Sequence, residues 1–373
     1  MPPRSAYIHV PFCIHRCGYC NFALVAGRDD LVEPYLNALA VELGFLGTPQ
    51  DVETLYFGGG TPTFLSREQL ARICKLVLRW HPLQTGYEWT VEANPGDLDR
   101  ERLQVLAHYG VNRLSLGAQS FRAAKLAQLE RDHQPADVQR AVRLAREAGL
   151  HVSIDLLFAA PGETLSQWHA DLEAALALEP EHISTYGLTF EQGTTFWSRL
   201  RRKELSQVPE ELERQMYIAA IDRLSQAGYD HYEISNFGIP GHQSRHNGVY
   251  WTGQSYFAAG PGAARYVEGV RSTNHRSTFT YLQRLQNGKS PVAEQEHLGP
   301  QQRAREMLIF GLRRITGIDR QDFFARSGFE VDALSKTEIA RFVELGLLQD
   351  DGHNIRLTRE GLLVSDSLWP ELL

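Results

Sequence analysis

Pro11-Phe12-Cys13-Ile14-His15-Arg16-Cys17-Gly18-Tyr19-Cys20 holds three of the chain's four cysteines within eight residues. Three thiolates this close can wrap one metal centre, and the C-x3-C-x2-C spacing leaves a fourth coordination position empty. A cubane iron–sulfur cluster with one unprotected iron meets that description, because cysteine thiolates hold such clusters and the free iron can take a further ligand. Two plainer readings stand beside it: three buried free thiols, or a zinc site completed by His9 or His15. The remaining cysteine, Cys74, lies in Arg67–Trp80, where Leu70, Ile73, Val77 and Trp80 recur at helical spacing, and reads as a small core residue of that helix.

Outward from this loop the chain alternates short β-rich runs with longer helical patterns. The candidate strands are Tyr7–Val10, Glu53–Phe57, Glu88–Ala93, Arg113–Leu116, Val152–Phe158 and His182–Gly187. Between them, helices are expected near Val32–Phe45, Ser66–Trp80, Arg100–His108, Ala136–Ala148 and Leu165–Leu178. Such alternation specifies parallel strands with right-handed helical crossovers, and six units predict an α/β barrel, open or closed, rather than a sandwich. The polar oddities keep one phase. The cysteine loop follows the first strand, Gly58-Gly59-Gly60-Thr61-Pro62 ends the second and Glu92-Ala93-Asn94-Pro95 the third. Gly117-Ala118-Gln119-Ser120 ends the fourth, Asp155 lies in the fifth and Thr185-Tyr186-Gly187 closes the sixth. All sit on or beside carboxyl ends of strands, where α/β barrels build their sites, so one shared site is expected there.

Beyond the sixth strand, Leu205–Ala227 reads as a helix preceded by a solvated charge run at Arg199–Glu204. Glu233–Asn274 is rich in glycine, aromatic and histidine residues, lacks clear periodicity, and is a candidate ligand-binding stretch. From about Leu298 a helix, the helix Lys336–Leu345, a hairpin turning at Asp350-Asp351-Gly352 and a helix over Arg359–Leu368 give a small module of winged-helix look.

Composition bounds the function. The 373 residues suit one large domain plus a smaller one, and 43% hydrophobic with 22% charged residues is ordinary for a globular chain. A net charge of -7 leaves no surplus of cations to neutralise phosphates, so no nucleic-acid partner is expected. No uncharged apolar run approaches a membrane span, and Met1–Val10 carries neither a long apolar core nor a cleavage site, so neither membrane insertion nor export is expected. Cysteines clustered rather than framed for disulfides point to a reducing cytoplasm.

Single motifs say little. A triple glycine is weak, and here it lacks the Lys-Ser/Thr of a P-loop and the spacing of a dinucleotide fingerprint; what it supplies is backbone open to close approach. Glu92 could cap a turn or meet hydroxyls or an amine, an Arg such as Arg131 is ordinarily surface, and Asp155 in an apolar strand must find a partner. Combined with an open iron they make a pocket for a zwitterionic nucleoside, with the guanidinium for a carboxylate and the acids for ribose or amine.

Tyr7-x5-Cys13-x3-Cys17-x2-Cys20, Gly58-Gly59-Gly60-Thr61-Pro62-Thr63 and Glu92 resemble the radical S-adenosylmethionine superfamily. Within it, Gln119-Ser120-Phe121, Asp155-Leu156-Leu157 and Pro161-Gly162-Glu163-Thr164 resemble the branch of the oxygen-independent coproporphyrinogen III dehydrogenase, from about residue 5 into the C-terminal module. The resemblance implies a 4Fe-4S cluster on Cys13, Cys17 and Cys20, with S-adenosylmethionine chelating the fourth iron and cleaved on one-electron reduction to a 5′-deoxyadenosyl radical. It also implies that Tyr7, Tyr19, Gly59, Gly60, Thr61, Glu92, Gln119, Arg131, Asp155, Gly187 and Ala264 contact S-adenosylmethionine, and that an electron donor serves the cluster. It implies an α/β fold with a partial (βα)6 barrel of TIM type, open at one side, as the radical core over 1–235, a connecting segment over 236–297 and the C-terminal module over 298–373.

Two features resemble a related family of heme chaperones instead. The dehydrogenase has a longer N-terminal extension and a further cysteine two residues past the last ligand, where this chain has Phe22. His246-Asn247-Gly248-Val249-Tyr250-Trp251 matches the His-Asn-x-x-Tyr-Trp motif of that family, which implies heme as a cofactor, His246 as ligand to its iron, flanking aromatics over the porphyrin, and heme-accepting proteins as partners. Arg245, Arg265 and Arg271 are candidate partners of the propionates. The expected function is that of a heme chaperone, with the dehydrogenase reaction as the alternative.

Overall fold

The computed structural model describes residues 3–373. Six parallel strands form the body of one sheet: β1 (Ser5–Val10), β2 (Val52–Gly59), β3 (Leu83–Ala93), β4 (Arg113–Gln119), β5 (His151–Phe158) and β6 (His182–Gly187). They pair in sequence order, and the helices Val32–Gly44, Arg67–Trp80, Arg100–Tyr109, Pro135–Glu147 and Leu165–Leu176 carry the chain between them. The expected partial barrel is the observed one. Past β6 the antiparallel pair β7 (Asp230–Glu233) and β8 (Asn236–Gly238) extends one edge; β9 (Phe257–Ala259) lies parallel to β1 on the other, and the two ends of the nine-stranded sheet do not pair.

The helices form where the sequence supplies caps and an apolar stripe. Ser66 accepts from the Gln69 N–H while the Gln69 side chain returns to the Ser66 N–H, which satisfies two amides that the helix cannot. Leu70, Ile73, Cys74 and Val77 then bury against the sheet at i, i+3, i+4 and i+7 spacing, so Cys74 is a core residue. Gly110 closes the next helix in the left-handed conformation, at φ 98°.

Strand alternation decides which face does what. Ala6, Ile8, Val10, Leu55, Phe57, Val91, Leu114, Leu116, Ile154 and Ile183 point outward into the core shared with the helices. Each of the Val, Leu, Ile and Phe side chains among them contributes about 1.5–3 kcal/mol on full burial. Tyr7, His9, Tyr56, Thr90, Glu92, Arg113, Ser115, Ser153, Asp155, His182 and Ser184, at the intervening positions, line the interior. The lumen is therefore polar from floor to mouth.

Glu233–Asn274 is more regular than its sequence suggested. It holds β8, β9, the helix Arg245–Trp251 and the strands Ala264–Val267 and Val270–Asn274, which pair antiparallel with each other and then with Val292–His297. The tail packs its own core of Ala304, Leu308, Leu312, Phe323, Val331, Ile339, Phe342 and Ile355. Its hairpin, Leu348–Asp350 with Asn354–Leu357, turns where expected and takes Ile318–Asp319 as a third strand. Arg359–Asp222 and Arg214–Glu360 ion pairs join this module to the helix Glu210–Gln226.

A buried ion triad fixes the ends of β4 and β5. Lys125 Nζ donates to Leu157 O and Glu163 Oε1, both at 2.5 Å, and to Asp171 Oδ2 at 3.1 Å, with all three side chains at most 2% exposed. Asp171 also accepts from Ser120 Oγ and the Phe121 N–H, so the triad clamps the residues just after Gln119, which itself holds φ 63°. Removing the cation leaves two carboxylates facing each other without water. Lys125→Met is expected to cost about 3–5 kcal/mol, read as a lowered Tm in thermal unfolding; a variant as stable as its parent contradicts the clamp.

Candidate functional site

The carboxyl ends of the six strands open on a cavity of about 1300 Å³, closed on one side by Leu362–Ser367 of the C-terminal module. Cys13, Cys17 and Cys20 line it, as do Tyr7, Tyr19, Gly59, Gly60, Thr61, Glu92, Gln119, Arg131, Asp155, Gly187 and Ala264. Residues as far apart in sequence as Tyr7 and Ala264 thus share one chamber. The glycines let backbone form its wall: a Cβ on Gly59, where φ is 108°, would come within 2.3 Å of the His9 ring, and one on Gly60 within 2.6 Å of Phe12 O.

The cysteine loop is held to its surroundings by main chain. Val25 N–H donates to Pro11 O and Gly27 N–H to Cys13 O, while Thr61 N–H donates to Phe12 O, tying the loop to the glycine turn. Cys13 Sγ lies 3.3 Å from Thr61 Oγ1, and Arg131 Nη1 donates to Cys17 Sγ at 3.4 Å. Burial pushes the Cys13 thiol up to about 12 and raises Cys20 as well, so these thiols stay protonated until a metal takes the proton's place. His9 has no nitrogen left to complete a zinc site: Nε2 donates to Ala23 O at 2.7 Å and Nδ1 accepts from Tyr7 OH at 3.1 Å. His15 is exposed on the loop. Three thiols lining one cavity, with His9 already engaged at both nitrogens, fit an iron–sulfur cluster that keeps one iron open.

The charged groups share the cavity with the loop. Glu92 is gripped from behind, Oε1 by Tyr56 OH at 2.8 Å and Oε2 by the Gly59 N–H at 2.9 Å. Burial nonetheless raises its pKa to about 7. Asp155 accepts from Ser115 Oγ at 3.2 Å, and burial lifts it to about 6. Arg131 donates through Nη2 to Asn94 Oδ1 and Gly117 O, which aims its guanidinium from the ends of β3 and β4 towards Cys17. A cation, two half-buried carboxylates and open backbone around three thiols fit a zwitterionic nucleoside: guanidinium to carboxylate, carboxylates to amine or hydroxyl.

His246, the expected iron ligand, is enclosed in this structure and both its ring nitrogens have partners. It is 1% exposed. Its Nδ1 lies 2.9 Å from Thr54 Oγ1, whose own proton goes to Ser5 Oγ, and its Nε2 lies 2.9 Å from Tyr250 OH. The ring therefore carries its proton on Nδ1 and accepts at Nε2, and burial holds its pKa down near 3. Its backbone N–H and that of Arg245 both donate to the Glu88 carboxylate, seating the helix on the barrel floor. Tyr250 reaches the cavity, whereas Trp251 packs against Phe310 and under Arg313 of the C-terminal module. Arg245 and Arg271 are engaged with Glu53 and with Glu296 and Glu306, so neither is a free propionate partner.

Sequence reading missed Tyr56 and Ser115, and gave Asn94 only as part of the turn that ends the third strand. Tyr56 precedes Gly58 by two residues and Ser115 precedes Gly117 by two, so strand periodicity puts each on the site's face; in a strand, though, a tyrosine reads first as a β-former.

Comparison with known proteins agrees with this geometry. The Radical SAM superfamily profile matches residues 7–175 and the HemN C-terminal domain profile residues 298–364. Heme chaperone HemW of Bacillus subtilis is 35% identical over 376 residues, covering 99% of both chains. HemW of Escherichia coli is 31% identical over 379 residues, covering 99% of this chain and 97% of its own. The zebrafish (Danio rerio) protein named radical S-adenosyl methionine domain-containing protein 1, mitochondrial, is 32% identical, covering 99% of this chain and 86% of its own. The structure of coproporphyrinogen III oxidase (HemN) from E. coli superposes with a TM-score of 0.87 at 21% identity, covering all of this chain and 90% of that one, and shares its fold.

The Glu92 carboxyl carries a pH signature. Its pKa rises from 4.5 to about 7 on folding, so the folded chain keeps a proton that the unfolded chain has released. The stability this contributes is full below the unfolded value and is lost as pH rises through about 7. In Glu92→Gln the loss is absent, so the Tm of the variant relative to the parent should climb between about pH 5 and about pH 8. A gap that stays constant over that range contradicts the raised pKa.

Proposed function

The chain belongs to the HemW family of the radical SAM superfamily, and on that premise we propose that it is a heme chaperone. It holds a 4Fe-4S cluster on Cys13, Cys17 and Cys20, takes S-adenosylmethionine beside it, binds heme and delivers it to heme-accepting proteins. The observation that carries the reading is the gathering of the three cysteines with Glu92, Gln119, Arg131 and Asp155 around one cavity.

When bound, a reduced cluster with S-adenosylmethionine on its open iron supplies reductive cleavage of a sulfonium, driven by one electron from a donor protein. The chain's own part is placement. Arg131, fixed by Asn94 and Gly117, presents a guanidinium beside Cys17 for a carboxylate. Glu92 and Asp155 offer carboxyl oxygens to an amine or ribose, and the Gly59–Gly60 backbone leaves room for close approach. Tyr7, Tyr19, Thr61, Gly187 and Ala264 complete the wall.

Phe22 favours the chaperone over the dehydrogenase reaction: it stands on the cavity rim, 65% exposed, where the dehydrogenase carries a further cysteine. Three unpaired thiols that must stay reduced support a cytoplasmic setting. Heme binding rests on family membership, with His246 of the His-Asn-x-x-Tyr-Trp motif as the proposed ligand to its iron.

Anaerobically reconstituted protein should bind heme, pass it to an apo heme protein, and leave coproporphyrinogen III untouched under reducing conditions that cleave S-adenosylmethionine. Decarboxylation of that porphyrinogen with matching 5′-deoxyadenosine would instead make it the dehydrogenase. Cys17→Ser should lose the visible absorption of the cluster, and full iron content in that variant would refute the ligand assignment.

A further inference from the structure

Ile14, His15 and Arg16, the three residues between Cys13 and Cys17, are all exposed, so the loop that carries the thiols turns side chains to solvent between two of them. Ile14 is 54% exposed and, like Phe22, stands on the cavity rim. Arg276 Nη2 donates to Asn21 O at 2.5 Å, which brings the start of the helix Thr278–Gln286 against the same loop. Phe279 of that helix is 51% exposed, with the Arg28 guanidinium 5.0 Å from its ring. Lone surface hydrophobics are ordinary, whereas several gathered about one loop mark a contact surface. The cations here are not cancelled. Arg16 donates to Leu24 O at 2.6 Å and to Cys20 O and Phe22 O at 3.4 Å, and carbonyls take hydrogen bonds without neutralising charge. Neither Arg16 nor Arg276 meets a carboxylate among the described residues. Within Cys13–Asp30 the acids are Asp29 and Asp30, and Asp30 already pairs with Arg28.

We propose that Ile14, Arg16, Phe22, Arg276 and Phe279 form the docking surface for an acidic one-electron carrier protein that reduces the cluster. The inference rests on the reading that Cys13, Cys17 and Cys20 hold a 4Fe-4S cluster. One electron leaves the carrier's reduced cofactor and enters the oxidised cluster, and no bond is made or broken. Electron transfer weakens steeply with distance, so a protein donor must sit against the loop that carries the ligands. A chain of net charge -7 repels an acidic partner over most of its surface, and the uncancelled arginines select this face. Arginine beside aromatic and aliphatic side chains is the composition of an interface core. Electron-transfer encounters bury less than about 1,200 Å², so a patch this small suffices.

The test uses full-length protein with its cluster reconstituted, and a flavodoxin as the acidic carrier. Binding of oxidised flavodoxin is measured by calorimetry, and reduction of the cluster by its hydroquinone is followed by stopped-flow absorption, each at low and at physiological salt. Dithionite, which needs no docking surface, is the control. Ile14→Glu and Arg276→Glu should each weaken binding and slow reduction by flavodoxin about 10-fold at low salt, with the difference shrinking as salt rises. Reduction by dithionite and the iron content should stay as in the parent. Phe22→Ala should weaken binding about 5-fold at either salt. Because Arg276 also holds Asn21 O, Ile14→Glu decides the matter if Arg276→Glu disturbs the loop. Parent-like flavodoxin binding in Ile14→Glu and Phe22→Ala overturns the proposal, as does a slowing in Ile14→Glu that dithionite shows equally. A parent with no cluster for dithionite to reduce sinks the functional reading itself, whereas a parent that dithionite reduces and flavodoxin does not bind sinks only the docking surface.

Discussion

Six parallel strands that turn aliphatic side chains outward and polar ones inward set the terms for everything else in this fold. Parallel sheets covered by helices usually bury apolar residues on both faces. Here only the outer face is apolar, and it alone supplies the core with the helices. The inner face must then satisfy its own polar groups: Glu88 meets Arg113 and the helix at Arg245, Thr54 meets Ser5 and His246, and Asp155 meets Ser115. A lumen filled this way is a chamber for a charged, hydroxylated ligand instead of a packed centre.

The mouth of that chamber joins two chemistries through backbone. The glycine turn gives its Gly59 N–H to Glu92 and its Thr61 N–H to the cysteine loop, so carboxylate and thiols are set on one short piece of chain. His9 extends the link by bridging Tyr7 to Ala23, immediately past the last cysteine. The Lys125 triad holds the other rim, where Gln119 sits in a left-handed conformation that its neighbours must over-determine.

Much of this was legible beforehand. Period-two runs and capped helical stripes gave the six strands and their crossovers, and the phase of the polar residues placed the site at the carboxyl ends. The residues that resemblance assigned to the cofactor do line one cavity. Less legible was the stretch after β6, because its elements are three to seven residues long, shorter than a periodicity window can resolve. The enclosure of His246 was hard to read for a related reason. Its burial comes from Thr54 and Glu88, which lie 192 and 158 residues away, and nothing local to the His-Asn-x-x-Tyr-Trp motif announces that packing. Tyr56 escaped notice because its role depends on a carboxylate 36 residues on.

The central claim is that three neighbouring thiols hold a cubane with one metal vertex free for a sulfonium nucleoside. Parallel determination of iron, acid-labile sulfide and zinc in oxygen-free preparations tests it most directly. About four irons and as many sulfides per chain, lost together on oxidation, are the predicted result. Tightly held zinc with neither iron nor sulfide would contradict it.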